Sequence, residues 1–95
     1  MARLDAQQLQ AALAEMPGWA GDQQLIRRSY FFGDFVQAIG FVNRIADAAE
    51  AANHHPDIDI RWRTVRIALT THDAGGLTDK DFDLAGQIDA TFAAG

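Results

Sequence analysis

Asn53-His54-His55-Pro56-Asp57-Ile58-Asp59-Ile60-Arg61-Trp62-Arg63-Thr64-Val65-Arg66-Ile67-Ala68-Leu69 is where the chain changes its hydrophobic period, and that change decides the fold. Pro56 lacks an amide donor and pushes the residue before it out of the α region, so a helix arriving from the N-terminal side must stop. His54 is expected to close that helix and His55 to be extended. Past Pro56 the apolar residues alternate: Ile58, Ile60 and Trp62, then Val65, Ile67 and Leu69. The first set is even-numbered and the second odd, as in an antiparallel hairpin, where opposed residues share a face and their numbers have a constant sum. A two-residue loop at Arg63-Thr64 predicts Trp62 opposite Val65, Ile60 opposite Ile67 and Ile58 opposite Leu69. Continued past Pro56, this register brings His72 opposite His55. It also opposes Arg61 to Arg66, and Arg63-Thr64 is poor chemistry for a tight primed turn.

On the N-terminal side of the stretch, Asp34 is a candidate N-cap with Gln37 three residues on. Phe35, Ile39, Val42, Ala46 and Ala49 recur at helical spacing, and Ile45 and Ala52 widen the stripe. If this helix persists to His54, Glu50 lies one turn earlier on the same face, where a carboxylate can hold or charge an imidazole. Further upstream, Asp5 and Gln8 form a capping box and Leu4 can staple onto Leu9; Leu9, Leu13 and Met16 then line one face until Pro17-Gly18. Trp19 and the run from Leu25 to Phe32 predict a first pair of strands. Beyond the hairpin, Ala74-Gly75-Gly76 reads as a flexible connection. Thr78-Asp79-Lys80-Asp81 opens a last helix with a core face of Ala85, Ile88 and Phe92. The order helix, strand pair, helix, strand pair, helix predicts an α+β fold, a four-stranded antiparallel sheet with three helices packed on one face.

The 95 residues suffice for one core without metal or disulfide staples and not for two, so 1–95 reads as a single domain. With no cysteine, disulfides and thiolate metal sites are excluded, which fits the cytoplasm. No apolar run reaches the length of a membrane span, and Met1-Ala2-Arg3-Leu4-Asp5 has no apolar signal-peptide region. A net charge of −5 argues against a direct nucleic-acid partner, because such proteins display a basic face that displaces counterions. Arginines do gather at Arg27-Arg28 and at Arg61, Arg63 and Arg66, a pattern expected of a solvated strand face.

His54, His55 and His72, with Glu50 and Asp81, suit a reaction that moves two protons near neutral pH. An unperturbed imidazole titrates at about pH 6.5, so neighbouring rings can serve as one base and one acid. The absence of cysteine and of a serine nucleophile motif favours proton transfer over covalent catalysis; a dehydration or isomerisation is expected.

The spacing Glu50, three residues, His54-His55-Pro56, five residues, Trp62, nine residues, His72, eight residues, Asp81 resembles the signature of the pterin-4a-carbinolamine dehydratases. The resemblance extends to Pro17-Gly18-Trp19, to Tyr30-Phe31-Phe32 leading into Asp34-Phe35, and to Thr71-His72 followed by Gly76-Leu77-Thr78. It implies a hydro-lyase that removes water from 4a-hydroxytetrahydropterin to give quinonoid dihydropterin, recycling the pterin of aromatic amino-acid hydroxylases. It implies a homodimer or homotetramer and no metal or organic cofactor. Carried over by position, His54, His55 and His72 form the catalytic set, with His54 and His72 moving protons and His55 positioning the ring. Glu50, Asp81, Pro56 and Trp62 are supporting or substrate-binding residues.

Each residue also has a plainer role. His54 suits a helix C-terminus, Asp81 is a good N3 cap, Glu50 can be a solvated helix residue and Trp62 can simply pack. Two rival functions stand beside dehydration. A histidine-carboxylate metal site is disfavoured by adjacent histidines that straddle a helix end. The other is a non-catalytic interaction module that stabilises a protein partner's dimer.

Overall fold

The computed structural model describes residues 2–95; Met1, the first residue of the N-terminal stretch read above, lies outside them. Helix α1 (Ala6–Ala14) is followed by strands β1 (Ala20–Gly21) and β2 (Ile26–Phe31), the long helix α2 (Phe35–Ala52), strands β3 (Asp57–Arg61) and β4 (Thr64–Leu69), and helix α3 (Asp79–Ala93). A single 3₁₀ turn at His72–Ala74 separates β4 from α3. All strand pairs are antiparallel, in the order β1-β2-β4-β3. The predicted element order and α+β architecture are therefore those observed.

Capping works as the side chains dictate. Asp5 accepts from the Gln8 amide while Gln8 reaches back to the Asp5 amide, and Asp34 accepts from the Gln37 amide. One face of the sheet, from Ile26 and Tyr30 on β2 to Val65, Ile67 and Leu69 on β4, is fully buried together with Phe41 and Ile45 of α2 and Leu84 and Ile88 of α3. The buried residues of α2 are Ala38, Phe41, Ile45 and Ala49, whereas the predicted stripe members Phe35 and Ala46 are exposed. In an alanine-rich helix two stripes overlap at helical spacing. The one containing Phe41 is used because that ring packs against Tyr30, with centroids 4.9 Å apart.

The hairpin register differs from the predicted one. Ile58 lies opposite Ile67, Ile60 opposite Val65, and the two-residue loop is Trp62-Arg63. Both registers keep the isoleucines on the core face, so apolar alternation does not choose between them. Charge does: the observed pairing sets Asp59, not Arg61, opposite Arg66 and leaves Arg61 opposite Thr64. The cost is Trp62 at φ 54°, a left-handed conformation that bulky residues rarely adopt. In this register β4 has ended at Leu69 before His72 is reached, so His72 is not a strand partner of His55.

The link after β4 is a closed turn. Thr71 and Gly76 exchange backbone hydrogen bonds, and Gly75 adopts φ 73° between them. Gly76 is required there because a Cβ would lie 2.7 Å from the Gln23 carbonyl oxygen.

Candidate active site

The end of α2 is set by Asn53, which takes the left-handed conformation (φ 50°, ψ 43°). Its amide donates to the Glu50 carbonyl and the His54 amide to the Ala49 carbonyl, the crossed pair of bonds of a Schellman cap. Asparagine tolerates this conformation better than other side chains that carry a Cβ. The helix thus stops before His54, and the chain reverses so that His54 turns inward.

This overturns the expected Glu50–His54 pair. Glu50 instead meets His55, Oε1 to Nε2 at 3.0 Å, with both side chains largely in solvent. His54 meets Asp81: its Nε2 lies 2.6 Å from Asp81 Oδ1, the histidine side chain 10% exposed and the aspartate 0%. The other carboxylate oxygen, Oδ2, accepts from the Thr71 hydroxyl at 2.8 Å and from the Thr78 amide at 2.9 Å. Thr71 and Thr78 hydroxyls are 2.9 Å apart, both residues buried. Asp81 therefore both caps α3 through Oδ2 and holds His54 through Oδ1; the two roles weighed from the sequence coexist.

A cleft of about 220 Å³ opens above this group, lined by Asn53, His54, His55, Thr70, Thr71, His72, Asp73 and Lys80. The helix end supplies the first three, the exit of β4 and the 3₁₀ turn the next four, and the first turn of α3 supplies Lys80. The three histidines named from the sequence thus share one wall system. Glu50 reaches it only through His55, and Pro56 stands beside His55 without lining it. Trp62 is not brought there. It sits 69% exposed on the hairpin loop, at the far end of β3 from Pro56, with the Arg63 guanidinium 4.7 Å from its ring. Among the described residues no group of three or more His, Cys, Asp or Glu side chains is arranged to hold a metal ion.

Sequence reasoning placed no role on the Thr71 hydroxyl, on Asn53 or on Lys80. Asn53 carried a readable signal, an asparagine one residue beyond the last helical alanine, and Thr78 stands where an N-cap precedes Asp81. Nothing local marked Thr71, whose contact with Asp81 spans ten residues and depends on the loop closure.

Residues 2–91 match the family model described as pterin 4 alpha carbinolamine dehydratase. A relative from Acidobacterium capsulatum, provisionally named pterin-4-alpha-carbinolamine dehydratase, is 52% identical over 90 residues, covering 95% of this chain and 98% of its own. One from Roseiflexus with the same provisional name is 54% identical over 87 residues, 92% of this chain and 94% of its own. Among solved structures, a transcriptional coactivator/pterin dehydratase from Brucella melitensis superposes with a TM-score of 0.90 at 33% identity, over 94% of this chain and 97% of that one. A pterin dehydratase-like RuBisCO assembly factor of the alpha-carboxysome shares the fold, with a TM-score of 0.66 at 23% identity over 78% of this chain and 86% of that one.

Proposed function

We propose, for a chain that belongs to the pterin 4 alpha carbinolamine dehydratase family, that it dehydrates 4a-hydroxytetrahydropterin to quinonoid dihydropterin by histidine acid-base catalysis. The observation that carries this reading is one cleft lined by His54, His55 and His72, with His54 backed by the fully buried Asp81. Loss of the 4a-hydroxyl as water requires a proton delivered to oxygen. Formation of the C4a–N5 double bond requires the N5 proton to be removed. Two imidazoles on the walls of a small cleft supply both, and no group of the reaction calls for a metal or an organic cofactor. His54 and His72 are the proton-transfer pair and His55, tied to Glu50, positions the ring.

In this reading the chain works in the cytoplasm as one domain over 1–95, recycling the pterin of aromatic amino-acid hydroxylases as a homodimer or homotetramer. No helix among the described residues is long and apolar enough to cross a membrane. Phe31, Val36 and Trp62 are exposed apolar side chains of the kind a subunit contact covers. The same side chains favour the second reading, a non-catalytic module that stabilises a partner's dimer.

The deciding experiment follows the decay of 4a-hydroxytetrahydropterin, generated in place by a hydroxylase, with wild type, His54→Ala and His72→Ala. Acceleration by wild type that falls at least tenfold, about 1.4 kcal/mol of transition-state stabilisation, in either variant is expected. Folded wild type that gives no acceleration would sink the enzyme reading. Capture of a protein partner that is insensitive to both substitutions would then favour the module.

A further inference from the structure

Asp81 is surrounded by donors whose directions can be worked out from chemistry alone. An ionised carboxylate only accepts, so the Thr71 hydroxyl, 2.8 Å from Oδ2, must donate to it. Having spent its single proton there, Thr71 can only accept from the Thr78 hydroxyl, 2.9 Å away. The Thr78 amide adds a second donor to Oδ2. With Oδ2 engaged by two donors, Oδ1 is left for His54 Nε2 at 2.6 Å. With Asp81 ionised, Oδ1 is an acceptor and Nε2 donates the ring proton to it.

The other ring nitrogen follows. No hydrogen-bond partner meets Nδ1 of His54 among the described residues, yet no buried side-chain nitrogen or oxygen in this set lacks one. Nδ1 is thus open to solvent, and the cleft is the space that His54 lines.

We propose that Thr71 and Thr78 are positioning residues, whose aligned hydroxyls aim Asp81 so that His54 is held as its Nε2–H tautomer and presents a bare Nδ1 to the cleft as the base. This rests on the dehydratase reading for its catalytic consequence, and on the hydrogen-bond geometry alone for the tautomer. The N5–H bond breaks as its proton passes to His54 Nδ1, and its electron pair forms the C4a–N5 double bond. The C4a–O bond breaks as a protonated His72 gives its proton to the departing hydroxyl, which leaves as water. The two rings end with exchanged protonation and reset through solvent.

The test is NMR of ¹⁵N-histidine-labelled protein above the titration range of the rings, read beside kcat and KM. Wild type is expected to show His54 protonated at Nε2 and bare at Nδ1. Thr71→Val should mix the tautomers and lower kcat about tenfold with KM within about twofold, and Thr71→Ser should restore both. Should Thr71→Val fail to fold, Asp81→Asn gives a second arm. Its amide can turn a donor toward Nε2 and drive the proton to Nδ1, as a wrong-tautomer substitution does in a catalytic triad. An Nδ1–H tautomer in wild type overturns the inference, as does a wild-type tautomer that persists in Thr71→Val and Asp81→Asn. If wild type shows the expected tautomer without dehydratase activity, the functional reading falls and the positioning role stands.

Discussion

Helix α3 carries two aspartates eight residues apart that each gather donors from distant parts of the chain, and they are built to opposite ends. Asp89 accepts from the Trp19 indole at 3.1 and 3.0 Å, the Arg28 guanidinium at 2.9 Å and the Tyr30 hydroxyl at 2.5 Å. Its charge is balanced by the Arg28 guanidinium, and its other partners are neutral donors. Arg28 belongs to this group because it lies opposite Ile67, on the core side of β2, and is not the solvated strand residue its sequence suggested. Asp81 has no arginine. Among the described residues its ion-pair partner is His54, whose ring also lines the cleft. A part-buried carboxylate paired to a permanent cation fixes a fold; a fully buried one paired to an imidazole that reaches a cleft leaves a proton to be moved.

Exchanging the two roles by mutation tests the contrast most strongly. Asp81→Ala is expected to lower kcat/KM about 100-fold, the scale of a lost acid-base group, in steady-state assays of protein shown to be folded. Asp89→Ala strands three part-buried donors and is expected to lower stability by about 3 kcal/mol in urea unfolding, with kcat/KM per folded molecule within about twofold. Comparable activity losses in both variants would erase the distinction. An Asp81→Ala protein with near wild-type activity would make Asp81 a helix cap and nothing more.

The difference between the two aspartates also marks what was legible beforehand. Asp81 could be found because a capping position lies three residues from a threonine and its spacing from His72 matches a family pattern. Asp89 could not, since its partners lie 59 to 70 residues away and only the sheet brings them together. The same holds at smaller scale. The element order and the three caps were readable from period and turn chemistry; the gathering of the histidines was expected from a register that is not the observed one and from the family spacing. The partner of His54 was not readable, because one left-handed Asn53 ended the helix two residues early, at Ala52, and handed Glu50 to His55. The hairpin register was missed because apolar alternation is blind to a two-residue slide of one strand against the other, and cross-strand charge decided it.

Tyr30 sharpens the structural side of the comparison through pH. Burial first, and then the hydrogen bond to Asp89 and the repulsion of its charge, push the Tyr30 hydroxyl well above the usual phenol range, with Arg28 opposing. Because the folded-state value is raised, the unfolded chain releases its proton first, near pH 10, while the folded chain keeps it. Tyr30's contribution is complete below pH 10 and declines as pH rises toward the folded-state value, by about 1.4 kcal/mol per pH unit. Tyr30 is the sole tyrosine, so tyrosinate absorbance reports on it alone. Its appearance should coincide with unfolding, and Tyr30→Phe should remove this alkaline slope. A tyrosinate signal that develops near pH 10 while the protein stays folded would show that Asp89 does not hold the hydroxyl.

The smallest expected effect belongs to the third carboxylate, Glu50, and it tests whether proximity to the cleft is enough to matter. Its contact with His55 is as long as an ordinary hydrogen bond, 3.0 Å, but Glu50 is 79% exposed and His55 60%, so water and salt screen the pair. Glu50 also sits in the last turn of α2, where a negative charge opposes the helix dipole. Glu50→Gln therefore removes a weak attraction and a weak repulsion together, and stability is expected to stay within about 0.5 kcal/mol of wild type. If His55 only positions the pterin, loosening its tether should raise KM about twofold to threefold and leave kcat unchanged, because binding common to ground and transition states is what such a change removes. A fall in kcat as large as that of Asp81→Ala would move His55 into the proton-transfer pair, and the working carboxylate would then be the solvated one rather than the buried one.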